Sequence, residues 1–307
     1  MTSRTIPLKI DSLQDQIRTA SLLEVAARKA GNVHPGASFA DLRFEDFEVA
    51  ADVTSRSLSR VQVDGVGQAI LNAMTETQRT LQSNANLGIA LLLAPLAAVP
   101  AESDLASEIG WIIDSLNMDD TSRIYEAIRL SEPGGLGEVS EQDISQPPGQ
   151  PIQYAMTLAA ERDAIARQYC NEFSDVLIFG RERFLEWFEH HNDWEIATIG
   201  THLELMVQLP DSLIARKCGA TIANESARRA QQVLNQKWPK QPQGAAAFQE
   251  FDDWLRADGN RRNPGTTADL IAAVLFSLIR EQQWVPPESI TIELSLPPSS
   301  STPPSSS

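Results

Sequence analysis

The sequence predicts an all-α fold, a single multi-helix bundle domain over residues 1–296 followed by a tail at 297–307. Three observations predict it. Apolar residues recur at helical spacing in about ten segments. Strand-like alternation occurs once, in SITIELSL at 289–296, which predicts one short C-terminal strand. The tail, PPSSSTPPSSS, has no apolar content to bury and is expected to be disordered.

The helical segments lie near 12–30, 44–59, 61–82, 87–99, 102–115, 119–131, 151–170, 181–206, 212–236 and 244–280, with one break expected in each of the last two. The run LGIALLLAPLAAV (87–99) is the most apolar. It is too short to span a bilayer, and Pro95 interrupts it, so it reads as a helix buried in the core. The stretch 132–153, rich in Gly, Pro and acid, is the one long interior loop and reads as a functional loop. In YAMTLAAERDAIARQYC (154–170), Met156, Ala159, Ala166 and Cys170 share one side with Asp163 and Arg167, and Leu158, Ile165 and Tyr169 lie opposite. A helix apolar on both sides is buried, so Asp163 and Arg167 are expected to pair there or to line a cavity.

Composition narrows the chemistry. Among 307 residues, 41 acidic and 25 basic side chains give a formal net charge of −16. Nucleic acid as a partner is excluded, because phosphate-backbone binding needs a basic surface. A local basic pocket for a small phosphorylated ligand is not excluded, and an acidic surface suits Mg²⁺ arriving with substrate phosphates. Cys170 and Cys218 are the only cysteines, so a zinc cluster is excluded and two buried thiols in a reducing compartment are expected. No apolar leader opens the sequence, and the chain is expected to be soluble, cytoplasmic and free of membrane.

Polar, Gly- or Asn-bearing corners stand where apolar helices begin. GNVHPG (31–36) follows the first helix, and NANLG (84–88) precedes the buried 87–99 helix. PGGLG (133–137) is glycine-rich without the Lys-Ser/Thr of a P-loop. PDSLIARK (210–217) opens a helix that Asp211 can cap, and NPGTTADLIAA (263–273) opens another that Thr266 or Thr267 can cap. Helix starts present unpaired N–H groups and a positive dipole end, so several gathered at one end of a bundle would receive an anion. In the WEIATIGTHL helix, Glu195, Thr198 and His202 share one edge, and His202 alone reads as a structural histidine.

This ordered series resembles the triphosphoribosyl-dephospho-CoA synthase family, over about residues 20–280. That family carries Pro-Lys-Pro-Gly-Asn-Val, Asn-Thr-Asn-x-Gly and a terminal Pro-Gly-x-x-Ala-Asp-Leu-(Leu/Ile)-Ala. Here Arg28 and Ala30 replace the two prolines of the first motif, and Ala85 replaces the threonine of the second. The wording of GNVHPGASFADL and PDSLIARK is similar to a divergent branch from archaea and from bacteria with tetrahydromethanopterin-linked metabolism.

The resemblance implies an all-α pentosyltransferase. ATP loses adenine, and its anomeric carbon is attacked by the ribose 2′-hydroxyl of 3′-dephospho-CoA. Such a reaction wants a carboxylate near the cationic sugar, a base for the hydroxyl, and Mg²⁺ with cations and helix starts for the triphosphate. Asp163 is the first choice for the carboxylate. Asp211 or Asp269 is the base, and Asp163 and Asp269 are the metal ligands. Arg216, Lys217, Asn84, Asn86 and the Gly134-Gly135 backbone are candidate phosphate ligands, with Gly265 and Thr266 in the same cradle, and Arg167, beside Asp163, is a further candidate for binding the nucleotide. Asn32 and His34 would orient ribose or base, and Glu24 is a weaker candidate. A homodimer is compatible with this reading. The alternatives are phosphoribosyl transfer to another alcohol, such as a polyol in a pterin-cofactor pathway, and a non-catalytic helical binding protein.

Overall fold

The computed structural model describes residues 2–40, 42–81, 86–131 and 144–294. The expected tail, together with Asn84, Ala85, Gly134 and Gly135, lies outside the described residues.

Among the described residues there are fifteen α-helices and one two-stranded sheet. Strand β1 (Thr2–Pro7) is followed by helices α1 (Leu13–Ala26), α2 (Phe44–Leu58), α3 (Val61–Asp64), α4 (Val66–Leu81) and α5 (Leu87–Ala98). Then come α6 (Leu105–Ser115), α7 (Met118–Ser131), α8 (Ile152–Ala159) and α9 (Ala164–Cys170). After a π-helical turn at Asp175–Gly180 follow α10 (Arg181–His191), α11 (Trp194–Gln208), α12 (Ser212–Cys218), α13 (Ala220–Asn235), α14 (Pro242–Arg256) and α15 (Gly265–Arg280), and strand β2 (Ser289–Leu294) closes the order.

Helix α15 is the axis of the core. Every residue from Leu270 to Ile279 is buried, and α1, α5, α11 and the π-helical turn pack around it. A helix apolar on all sides has no face for water, and the sequence ADLIAAVLFSLI supplies one. A second apolar cluster gathers α11 to α14 around Leu203, Met206, Phe251 and Leu255, with Trp238 and Trp254 packed against it. No helix among the described residues is long and apolar enough to cross a membrane.

Several long periodic segments break where local chemistry demands it. The 61–82 segment divides at Gly65, whose φ of +81° ends α3. The 181–206 segment divides at Asn192, also left-handed, and Asp193 caps α11 through the amides of Glu195 and Ile196. The 212–236 break falls at Gly219, with φ +90°. The 151–170 segment is two helices, because Asp163 turns its carboxylate back onto the amides of Ile165 and Ala166 and starts α9. This corrects the expectation of one buried helix there. Leu158 and Cys170 are exposed, and Arg167 pairs with Asp175 at 2.8 Å rather than with Asp163. Cys218 is half-buried, so the pair of buried thiols is corrected as well.

The predicted C-terminal strand is present, and it pairs antiparallel with a strand that the pattern did not mark. Strand β1 is short, and Ile6 is its only large apolar side chain; it packs inward beside Ile290 and Ile292.

Pro95 inside α5 is accommodated by a specific donor. Proline has no N–H, so the carbonyl of Leu91, four residues earlier, loses its helical partner. The Tyr169 hydroxyl donates to that carbonyl at 2.7 Å. Tyr169→Phe should therefore cost about 1–3 kcal/mol, the penalty of a buried carbonyl left bare. Pro95→Ala in the Tyr169→Phe background restores an N–H to Leu91 and should recover much of the loss. Urea unfolding of the wild type, both single variants and the double variant reads the coupling. Purely additive losses would mean the hydroxyl is not replacing the missing amide.

Candidate active site

The first corner begins where α1 ends. Glu24, in its last turn, and Lys29, just past its end, form an ion pair of 2.9 Å, and both are almost completely buried. Lys29 also donates to the carbonyls of Glu24 and Ala27. Burial pushes the Glu24 carboxyl above its ordinary range, and the Lys29 ammonium opposes that rise.

Gly31 carries the chain between α14 and the start of α15. Its φ is +75°, and a Cβ there would lie 2.8 Å from Leu255 and 2.9 Å from Pro264. Its amide donates to Asp252, which also holds Arg256, and Arg256 reaches the carbonyl of Asn32. The Asn32 side-chain amide then donates to Asn263 at 2.8 Å. Two corners distant in sequence are thus tied into one.

The helices α12 and α15 begin on the same carboxylate. Asp211 accepts the Ile214 amide with one oxygen, and with the other the amide and hydroxyl of Thr267, each at 2.8 Å. Burial raises the Asp211 carboxyl, and these bonds oppose the rise. From this shared origin, Arg216 and Lys217 project from α12, and Gly265, Thr266 and Asp269 stand in the first turns of α15. Arg216 meets the Asp163 carboxylate at 3.1 Å.

The start of α5 completes the ring. Gly88 admits Asp269: a Cβ at position 88 would fall 2.0 Å from its Oδ2. Any larger residue would push the carboxylate away. Just before the helix, Asn86 adopts a left-handed conformation with φ +70°.

These corners enclose one cavity of about 780 Å³. Glu24, Asp163 and Asp269 line it as acids, and Arg162, Arg216, Lys217 and Arg261 as cations. Its remaining wall combines neutral polar groups, Asn32, Asn86, Asn263 and Thr266 among them, with apolar side chains that include Phe39, Phe47, Ile128 and Met156. Asp269 is the outlier among the acids. It joins no salt bridge among the described residues, and its carboxyl is raised well above the usual range, first by burial and then by Glu24, Asp211 and Asp163. Asn86 is the outlier among the neutral groups: its side chain is buried, yet both amide atoms lack a hydrogen-bond partner among the described residues.

The expected site residues divide accordingly. Asp163, Asp269, Asn32, Asn86, Arg216, Lys217, Gly265 and Thr266 line the cavity, and so does Glu24. Asp211 does not. Its oxygens are spent on helix starts, which is a structural task. Arg167 points elsewhere, into a network of Gln168, Asn171 and Asp175. His34 is also absent from the lining: its Nδ1 accepts the Gly36 amide, and burial with Arg256 and Lys29 nearby pushes its pKa down to about 4. His202 is fully buried and does not line the cavity. Arg262 lies over the Trp254 ring at 4.5 Å, leaving Arg261 as the one of that pair at the cavity. Asn84, Gly134 and Gly135 lie outside the described residues.

Sequence reasoning missed Lys29, Arg162 and the close approach at Gly88. For Lys29 a signal existed, since it keeps the lysine at the centre of the Pro-Lys-Pro-Gly pattern whose prolines are replaced. Arg162 sits in a helix break that the periodicity concealed.

A family model described as ATP:dephospho-CoA triphosphoribosyl transferase matches residues 10–287. The chain belongs to the ATP:dephospho-CoA triphosphoribosyl transferase family. It is a transferase, and ATP and dephospho-CoA are the substrates of its family. No curated protein matches this transferase in sequence. Its fold is shared with the crystal structure of a candidate triphosphoribosyl-dephospho-CoA synthase from Archaeoglobus fulgidus, at 24% identity and a TM-score of 0.60, over 76% of this chain and 98% of that one.

Asp269 gives this transferase a pH signature. Its folded-state pKa is raised, so the native protein holds a proton that the unfolded chain has already lost. Its contribution to stability therefore falls as pH rises from the ordinary carboxylate range to the raised folded value, and stays low above it. Asp269→Asn removes this dependence. The variant should melt higher than the wild type at pH 7 and with it at low pH, where both side chains are neutral. A melting-temperature series across pH reads this, and parallel curves would contradict it.

Proposed function

We propose that this transferase moves the triphosphoribosyl group of ATP to the 2′-hydroxyl of 3′-dephospho-CoA and releases adenine. The observation that carries the reading is the division of charge around one cavity: three carboxylates stand beside four cations where four helices begin. An oxocarbenium-like sugar and a triphosphate need those two environments side by side.

In this scheme the C1′–N9 bond breaks, and its electron pair leaves with the purine. The acceptor oxygen forms the new bond to C1′ and gives up its proton. Adenine gains one proton, so atoms and charge balance. Glu24 takes the hydroxyl proton: its carboxyl is raised toward working pH by burial, while Lys29 fixes its position. Arg162, Arg216, Lys217 and Arg261 hold the phosphates. Lys217 and Arg261 are already coupled, since Arg261 donates to the Lys217 carbonyl at 2.8 Å. Asn32 orients the ribose from the tied corner.

The residues fit Mg²⁺. Asp269 is a half-buried carboxylate that joins no salt bridge among the described residues, and Asp163 stands close enough to raise its pKa. No group of three ligating side chains able to cage an ion is present among the described residues. One or two carboxylates completed by substrate phosphates is the usual magnesium arrangement. Asp163 and Asp269 would hold the ion, which supplies charge neutralisation of the triphosphate.

The test is to incubate the chain with ATP, Mg²⁺ and dephospho-CoA. Chromatography should show adenine released in step with a triphosphoribosylated product by mass. Glu24→Gln should lower kcat by at least about 100-fold, the weight of a lost general base, while ATP binding by calorimetry persists. Adenine released without product on dephospho-CoA would move the reading to another alcohol acceptor. ATP binding without any adenine would favour a binding protein.

A further inference from the structure

We propose that the Asn86 carboxamide reads the adenine of ATP, accepting from its exocyclic N6 amine and donating to its N7. The inference rests on the function proposed above and names the group that selects the leaving base.

Asn86 stands where a helix cap would stand, yet its side chain makes no capping bond. It is only 6% exposed, and both Oδ1 and Nδ2 lack a partner among the described residues. Buried amides are almost always satisfied, and leaving one bare is costly. Its left-handed backbone, φ +70°, suits asparagine or glycine. The cavity it lines continues along Leu87, Ile89 and Leu91 of the same helix. A group docking there must therefore be flat and largely apolar, with one donor and one acceptor side by side on an edge.

Adenine has that edge, and asparagine is its usual complement. A phosphate does not: it would satisfy Nδ2 and set its own negative oxygens against Oδ1. A ribose diol would satisfy both atoms and lacks the flat apolar face. The contact also serves departure. As the C1′–N9 pair moves onto the purine, negative charge spreads over its five-membered ring to N7, where the Nδ2–H stands ready to receive it.

Calorimetry in the presence of Mg²⁺ tests this on the full chain with ATP, 7-deaza-ATP, the 6-deamino analogue and 3′-deoxy-ATP. The wild type should bind the 7-deaza and 6-deamino analogues about 5- to 100-fold more weakly than ATP, the range of one bidentate base contact. Asn86→Gly accepts the backbone conformation, and it should bind ATP and those two analogues within about twofold of one another, because the discriminating pair is gone. Asn86→Asp also tolerates the backbone. It sets an acceptor against N7 and should prefer 7-deaza-ATP to ATP. An unchanged ATP to 7-deaza-ATP ratio in Asn86→Gly would overturn the proposal. So would loss of discrimination against 3′-deoxy-ATP alone, which would mean Asn86 reads the ribose. Base discrimination with no adenine release would count against the proposed transfer and leave the base contact standing.

Discussion

Two helices of this transferase begin on one buried carboxylate, and the rest of the site follows from that. Asp211 is 1% exposed and accepts from Ile214 at the start of α12 and twice from Thr267 at the start of α15. Burying a charge is costly unless it is hydrogen-bonded, and charge-assisted bonds are worth about 1.5–3 kcal/mol each, enough to hold it there. The consequence is geometric. Helix α15 is the axis of the core and cannot shift without disturbing α1, α5 and α11. Helix α12 has only seven residues; it packs on α13 through the second apolar cluster, and the clasp fixes its start against the axis. Arg216 and Lys217 thereby share a rim with Thr266 and Asp269.

Around that rim the acids are treated unequally. Glu24 has Lys29, Asp163 has Arg216 and two amides, and Asp211 has the helix starts. Asp269 receives no such partner, although α5 approaches so closely that only glycine fits at position 88. A fold optimised for stability alone would pair or neutralise it. Leaving one carboxylate unpaired beside three others is the kind of stability loss that proteins carry at functional sites. The same holds for Asn86, whose amide is buried bare at the other end of Gly88's turn. Both groups are supported by rigid helix starts, which keeps their position fixed while their bonding capacity stays open.

The helices were legible because their period is long and strong. The sheet was half legible: β2 alternates over six residues, whereas β1 has only Ile6 to show for itself. The breaks at Gly65, Asn192 and Asp163 were not legible from periodicity, because one or two residues can turn the chain without disturbing the apolar count on either side. That is why Asp163 and Arg167, four apart in sequence, look like residues of one helix side that must pair or line a cavity together. A capping residue lies outside the helix it starts, so Arg167 points away from Asp163 and toward Asp175. Convergence of the corners was legible only through the order of the motifs. Nothing local in GNVHPG announces that Asn32 will meet Asn263, since that contact depends on Gly31 fitting between Leu255 and Pro264.

The departure from the family pattern at Arg28 also has a local account. A proline there would have no amide to donate, but the Arg28 amide donates to Glu195 at 3.0 Å, and its guanidinium takes both oxygens of the same carboxylate at 2.7 Å. A rigid ring is thus replaced by a three-point tether between the end of α1 and the start of α11. Rigidity from proline comes from restricting φ in every state of the chain, whereas the tether acts only once the two helices have met. What matters for the site is whether the exchange moves Lys29. Its ammonium is held by the Glu24 carboxylate and by the carbonyls of Glu24 and Ala27, none of which belongs to the exchanged positions. The lysine that holds the cavity-lining Glu24 is therefore anchored independently of residues 28 and 30, and the chain can differ from its family on both sides of Lys29 without loosening it.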